Sequence, residues 1–181
     1  VLVAAAQRGD RAALDRLLRR HYDRLFHVCR RLTGNDADAY DATQEALVAI
    51  VRGLRHFDGR SSFSTWAYRV ATNACLDELR RRARRPEPAD GEVLAPADET
   101  DVATAVTDRL TIDEALAAIP DDFRAAVVLR DVCGLDYAEI ATVLGIPPGT
   151  VRSRIARGRG AVADRLRGNP ATNPERQIPR P

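Results

Sequence analysis

Residues 136–160 read DYAEIATVLGIPPGTVRSRIARGRG, a short apolar-faced segment, a turn and a segment crowded with arginine. Gly145 can take the left-handed backbone that ends a helix, and the prolines at 147 and 148 suit the first turn of the next. Two helices joined by so short a turn cross steeply. They are expected to bury Ile140, Ala141, Leu144, Ile146, Val151 and Ile155 as a wedge. Arg152, Ser153, Arg154, Ala156, Arg157 and Arg159 are then left around the outer faces of the second helix. A helix of that kind fits a DNA major groove, with early residues near base edges and later arginines near phosphates. The plain alternative is a helical hairpin whose charged face is simply solvated.

The rest of the chain has to support such a helix pair. It holds 181 residues, 45% of them hydrophobic, enough for two small helical cores. All 28 basic residues are arginine, the side chain suited to bidentate contacts with phosphates and guanine edges. The net charge of +2 is a sum of unlike segments. Residues 1–85 carry 17 Arg against 10 acids, residues 86–107 carry six acids and no base, and residues 108–168 balance at nine against nine. Cys29, Cys75 and Cys133 are far apart, with no C-x-x-C and no histidine at ligand spacing, so they are expected to be buried thiols rather than a metal site. The histidines, His21, His27 and His56, read as surface or boundary residues. No cofactor motif and no nucleophile–base constellation is present, which argues against an enzyme. The longest apolar runs are six residues, far short of the ~20 that a membrane span needs. Without a signal-peptide layout, a cytoplasmic protein is expected. The sequence contains no Met, so its first residue is expected to be processed, trimmed or read from a non-AUG start.

Strand signals are scarce and Ala, Leu and Arg fill the periodic segments, which predicts an all-α protein. Asp10 is placed to cap a helix carrying Leu14, Leu17, Leu18, Leu25, Phe26, Cys29 and Leu32, ending at Thr33-Gly34-Asn35. Asp36 or Asp38 is expected to start a second helix, with Leu47, Ile50, Val51 and Leu54 along one face, running to about His56. A polar loop, 57–64, leads to a third helix capped by Ser64 or Thr65, with an apolar stripe of Trp66, Val70, Ala74 and Leu79. Residues 86–107, PEPADGEVLAPADETDVATAVT, read as a flexible acidic linker. Helices are expected again over 106–119, then from Pro120 to about Cys133, before the opening pair. The organisation is thus a domain over 1–85, a linker over 86–107, a helix-turn-helix domain over 108–168 and a disordered Pro-rich tail over 169–181.

The stretch YAEIATVLGIPPGTVRSRIARGRGAV is similar to the carboxy-terminal, promoter-reading domain of bacterial RNA polymerase sigma factors of the extracytoplasmic-function group. DATQEALVAIVRGLRHFDGRSSFSTWAYRVATNACLDELRRRARR independently resembles that family's amino-terminal domain, through its Asp-Ala-x-Gln-Glu run, its Ser-x-Phe-x-x-Trp helix entry and an Asn midway along the third helix. The resemblance covers about residues 8–167. It implies a polymerase specificity subunit without chemistry of its own. Core polymerase would be bound through the coiled coil of its largest subunit and the flap of its second-largest. Asp41, Gln44 and Glu45 are the implied core contacts, although an acid early in a helix such as Asp41 also steadies the helix dipole.

The resemblance sets the promoter's minus-ten element against loop 57–64 and the third helix. An extruded base there needs stacking and edge hydrogen bonds to offset a few kcal/mol of unstacking. Arg60, Ser61, Ser62, Phe63, Trp66 and Asn73 supply those chemistries, with Asn73 the foremost base reader; core packing is the other reading of Phe63 and Trp66. Arg80, Arg81, Arg82, Arg84 and Arg85 exceed what a helix C-terminus needs, which favours a phosphate- or polymerase-facing role. In the second domain Arg152, Ser153, Ala156 and Arg157 match the minus-thirty-five readers, and Thr150, Arg154 and Arg159 are expected on phosphates. Gly158 and Gly160 depart from the family's helix formers and are expected to loosen the far end of that helix. The acidic linker would suit channels normally filled by nucleic acid, and its 22 residues reach at most ~70–80 Å. An anti-sigma factor is a further partner that the resemblance allows. The competing class is a free-standing helix-turn-helix regulator acting without polymerase.

Overall fold

The computed structural model describes residues 1–84 and 112–168. Expectations for the linker 86–107, the helix start near Val106, Arg85 and the tail 169–181 lie outside the described residues. Among the described residues every regular element is helical.

The first module is built on three long helices. Asp10 caps α2 (Arg11–Thr33) as expected, its Oδ1 accepting from the Ala13 amide at 3.0 Å, a bond of about 1 kcal/mol. Gly34, at φ +84°, ends it and returns its N–H to the Arg30 carbonyl at 2.9 Å. α3 (Asp36–Gly53) is capped by Asn35, one residue before the expected aspartates, through Asn35 Oδ1 and the Asp38 amide at 2.8 Å. A 3₁₀ turn, Leu54–His56, follows. α4 (Phe63–Arg84) starts earlier than expected because Ser62, not Ser64 or Thr65, caps it, its Oγ accepting from the Thr65 amide at 3.0 Å. A short α1 (Leu2–Gln7), for which the sequence carries no strong periodic signal, is held by Gln7 Nε2 donating to the Leu54 and Phe57 carbonyls at 3.0 and 2.8 Å.

Small residues set how closely these helices approach. Ala39, Ala42, Thr43 and Ala46 of α3 and Ala67, Ala71 and Cys75 of α4 are buried, and they meet Leu25, Val28, Cys29 and Leu32 of α2. The stripe expected on α4 is therefore displaced. Trp66, Val70, Ala74 and Leu79 are only half-buried, on the flank of the row that packs. Val51, expected inside, is 42% exposed.

The second module comprises α5 (112–117), α6 (Asp121–Val127) running into a π-helical turn at Val128–Val132, α7 (Tyr137–Leu144) and α8 (Pro148–Gly168). Asp136 and Glu139 form a reciprocal capping box on α7. Gly145, at φ +64°, ends α7, and Pro148 opens α8, as the sequence requires. Ile140, Val151 and Ile155 form the buried wedge together with Val143, an addition to the expected set, while Ala141, Leu144 and Ile146 are half-buried.

α8 is not loosened at Gly158. A Cβ there would stand 2.6 Å from Val127 Cγ2 and 3.1 Å from the Phe123 carbonyl oxygen, so the bare glycine is what lets α6 and α8 touch. The helix continues for ten residues beyond it.

The two modules share one apolar cluster, which runs from Leu25, Val28 and Tyr68 to Leu116, Val128 and Leu129. Polar contacts reinforce it: Arg124 Nη1 donates to the Leu32 carbonyl at 2.6 Å, Thr65 Oγ1 to Glu139 Oε1 at 3.0 Å, and Arg31 lies 3.4 Å from Asp113. Arg124 is almost wholly buried. Its other hydrogen bonds go to the carbonyls of Leu116, Ala117 and Ile119, so one guanidinium closes the C-terminal ends of α2 and α5 together.

Candidate nucleic-acid interface

α8 divides its arginines into two sets. Arg152, Ser153, Ala156 and Arg157 share an exposed face, and Arg157 has no ion pair among the described residues. Arg152 lies over the Tyr137 ring at 5.8 Å, and Arg130 lies 5.2 Å from the same ring's centroid, cation–π contacts that steady the two stems. The other set is engaged inside the module. Arg154 is half-buried and pairs with Asp122 of α6 at 2.6 Å, and Arg159 makes a two-point contact with Asp131, Nε to Oδ2 at 3.0 Å. Thr150 is half-buried, and its carbonyl accepts from Ser153 Oγ at 2.9 Å. The residues expected at base edges are thus exposed, whereas Arg154 and Arg159, expected on phosphates, hold α8 to the helices behind it.

In the first module Asn73 is exposed at the middle of α4, with Arg69 one turn before it and the Asp77–Arg80 pair one turn after. Trp66 lies against Gly53, where a Cβ would come within 3.1 Å of its Cζ2. Its centroid is 5.2 Å from Phe57 and 5.7 Å from Phe63, and His21 meets Phe63 edge-on at 4.9 Å. Phe63 and Trp66 therefore pack as a ring cluster while remaining partly exposed. Arg60 and Ser61 are exposed on the loop, Arg60 beside Asp58 at 3.2 Å, and Ser62 is engaged as the helix cap.

Asp41, Gln44 and Glu45 lie exposed on α3, with Glu45 bonded to Arg81 at 2.7 Å. The same face carries a feature beyond the sequence-based expectations: Tyr40, Val48 and Val51 are 54%, 47% and 42% exposed. Gln44, Glu45, Val48, Ala49, Arg52 and Gly53 line an open groove of about 770 Å³ there. The signal lies in the alanine row of α3, because a core seam of Ala39, Ala42 and Ala46 leaves the larger apolar residues on the outside. The arginine run at the end of α4 is largely engaged too. Arg80, Arg81 and Arg82 pair with Asp77, Glu78 or Glu45, and Asp38 respectively, and Arg84 stays exposed.

Among the described residues no group of three or more His, Cys, Asp or Glu is placed to hold a metal ion, and no helix is long and apolar enough to cross a membrane. Burial pushes the Cys133 thiol up to about 12, and Cys29 and Cys75 are buried.

Comparisons with known proteins agree across both modules. Residues 17–85 match the model of Sigma-70 region 2, and residues 109–162 that of Sigma-70, region 4. The ECF RNA polymerase sigma factor SigE of Mycolicibacterium smegmatis is 42% identical over 166 residues, which are 87% of this chain and 64% of that protein. SigM of Mycobacterium tuberculosis is 40% identical over 162 residues, 90% of this chain and 81% of its own length. Among solved structures, CnrH in complex with the cytosolic domain of CnrY superposes with a TM-score of 0.69 at 26% identity, covering 93% of this chain and 96% of CnrH.

Proposed function

Because the chain belongs to the extracytoplasmic-function group of RNA polymerase sigma factors, we propose that it binds core polymerase, reads minus-thirty-five and minus-ten elements and promotes opening of the promoter duplex. The exposed face of α8 carries the reading. Arg152, Ser153, Ala156 and Arg157 are held out by a helix that Arg154 and Arg159 fasten from behind, which preorganises donors for base edges. On α4, Asn73 is offered as the minus-ten base reader, able to pair with a base edge in two directions, beside the partly exposed rings of Phe63 and Trp66. The α3 face, with Asp41 and Gln44 around exposed Tyr40, Val48 and Val51, suits a protein partner and is assigned to core polymerase. CnrH carries a bound partner, the cytosolic domain of CnrY, and an anti-sigma protein is proposed here on that likeness.

Run-off transcription by core polymerase on a genomic library, with and without the chain, tests the proposal. Specific start sites should appear only in its presence. Arg152→Ala and Arg157→Ala should each reduce discrimination against mutated minus-thirty-five elements by about 1–3 kcal/mol. Asn73→Ala should spare duplex binding and abolish permanganate-reactive thymines. Tight specific binding to duplex promoter without polymerase, and no effect on transcription by core, would replace this reading with a free-standing regulator.

A further inference from the structure

The arginines of α8 between 152 and 159 are held in unlike ways. Arg154 and Arg159 are tied to carboxylates, those of Asp122 and Asp131. The side chain of Arg157 has no ion pair or hydrogen bond with another described residue. Arg152 has none either, but its guanidinium carbon lies 5.8 Å from the centroid of the Tyr137 ring, inside the range of about 6 Å over which a ring face attracts a cation.

The manner of holding decides what a side chain can still do. A carboxylate takes up N–H donors and offsets the charge. A ring does neither: it steadies the guanidinium and leaves all five of its N–H donors available. Arg152 is thus fixed in direction with its fork open. An arginine without such support, as at 157, gives up its rotamer freedom only when it docks, and that loss weakens binding.

Tyr137 is not needed by its own helix. It is the exposed first residue of α7, whose start is secured by the reciprocal bonds of Asp136 and Glu139 at 2.8 and 2.9 Å. Leu135 and Ile140, spaced as a hydrophobic staple, are both buried there. The ring is braced in turn by Arg130, 5.2 Å from its centroid, which donates through Nη1 to the Leu135 carbonyl at 2.7 Å. Neither Arg130 nor Arg152 has a carboxylate partner among the described residues. An exposed ring that gathers two unpaired cations serves neither the cap nor the core.

We propose that Tyr137 is a positioning residue for minus-thirty-five recognition: its ring aims Arg152 at its base pair before contact, and Arg157 reads its own without that support. The inference rests on the reading of Arg152 as a base reader and adds the residue that aims it. A bond from the Tyr137 hydroxyl to a phosphate is the competing role, and it would require the hydroxyl rather than the ring.

The test uses holoenzyme assembled from the full chain and core polymerase, with promoters carrying each single-base-pair change in the minus-thirty-five element. Arg152→Ala and Arg157→Ala first identify the base pair that each side chain reads. Tyr137→Leu should reduce preference at the Arg152 base pair by about two- to fivefold and leave preference at the Arg157 base pair at the parental value. In the Arg152→Ala background it should add no further loss. Tyr137→Phe, which keeps the ring, should retain parental preference. A Tyr137→Leu holoenzyme with parental preference would overturn the proposal. Losses at both base pairs, or a further loss in the Arg152→Ala background, would overturn it too, by assigning the ring to the fold. Binding weakened uniformly across the promoters by Tyr137→Phe would replace it with a phosphate contact. If Arg152→Ala itself alters no preference, the base-reading assignment has failed, and that result is distinct from a silent Tyr137→Leu beside an Arg152 that does read.

Discussion

Gly158 and Gly160 look alike in sequence and differ in what surrounds them. A methyl group at 158 would meet Val127 and the Phe123 carbonyl, whereas nothing lies within 4 Å of the position it would take at 160. Gly158→Ala should therefore destabilise the fold by about 1–3 kcal/mol through overpacking. Gly160→Ala should stabilise it by up to about 1 kcal/mol through helix propensity. Urea unfolding of the two variants measures the difference in sign. Cys133 gives a second residue-level expectation. Its folded pKa of about 12 lies above the ordinary thiol value of 9.0, so the folded state keeps a proton that the unfolded chain releases. Its contribution to stability is complete below about pH 9 and declines as pH rises towards 12, which thermal melts across that range would read. Cys133→Ser should flatten that part of the profile.

At the level of elements, the face of α3 opposite its alanine seam is the surface proposed to meet core polymerase. Val48→Asp should leave the melting temperature nearly unchanged, because Val48 is 47% exposed, and should weaken co-elution with core polymerase by tenfold or more. Element identity is legible from caps and periodicity: Asp10, Gly34, Gly145 and Pro148 stand where the sequence puts them. Faces are harder to read. On α4 the bulky residues Trp66 and Val70 draw the expected stripe to themselves, but close contact among three helices selects Ala67, Ala71 and Cys75 for the seam and moves larger side chains to its flank. The caps at Asn35 and Ser62 fall one to three residues before the expected ones, because several neighbouring residues can each supply the oxygen. The site is legible by residue type more than by state. Sequence alone names the arginines of α8, but which of them are tied to Asp122 and Asp131 depends on contacts 28–32 residues distant in the chain.

Across the whole molecule, the sequence leads one to expect two separate bodies on a tether, and the structure brings them into contact through α2 and α4. The linker expected over residues 86–107 lies outside the described residues. Under the proposed function, two promoter elements roughly two DNA turns apart, about 70 Å, would set the distance over which the modules work. The contact between them is lightly fastened on its polar side. Thr65→Val removes the bond to Glu139 and should shift the population towards separated modules by about fivefold, the equivalent of about 1 kcal/mol. Fluorescence transfer between labels on α3 and α8 would report that shift, while near-parental unfolding of each module would show that neither had been damaged.

The guanidinium at position 124 directs one bond across the boundary, to Leu32, and the rest towards carbonyls of its own half. The Glu139 carboxylate behaves likewise: one oxygen accepts from Thr65, and the other stays on the Asp136 amide. Parting the halves thus costs each of these side chains a single partner: the second half keeps its own ends closed, and the end of α2 gives up the guanidinium at Leu32. A second half grafted from a relative would need an arginine and a glutamate at the matching places, and apolar side chains that continue the cluster from Leu25, Val28 and Tyr68.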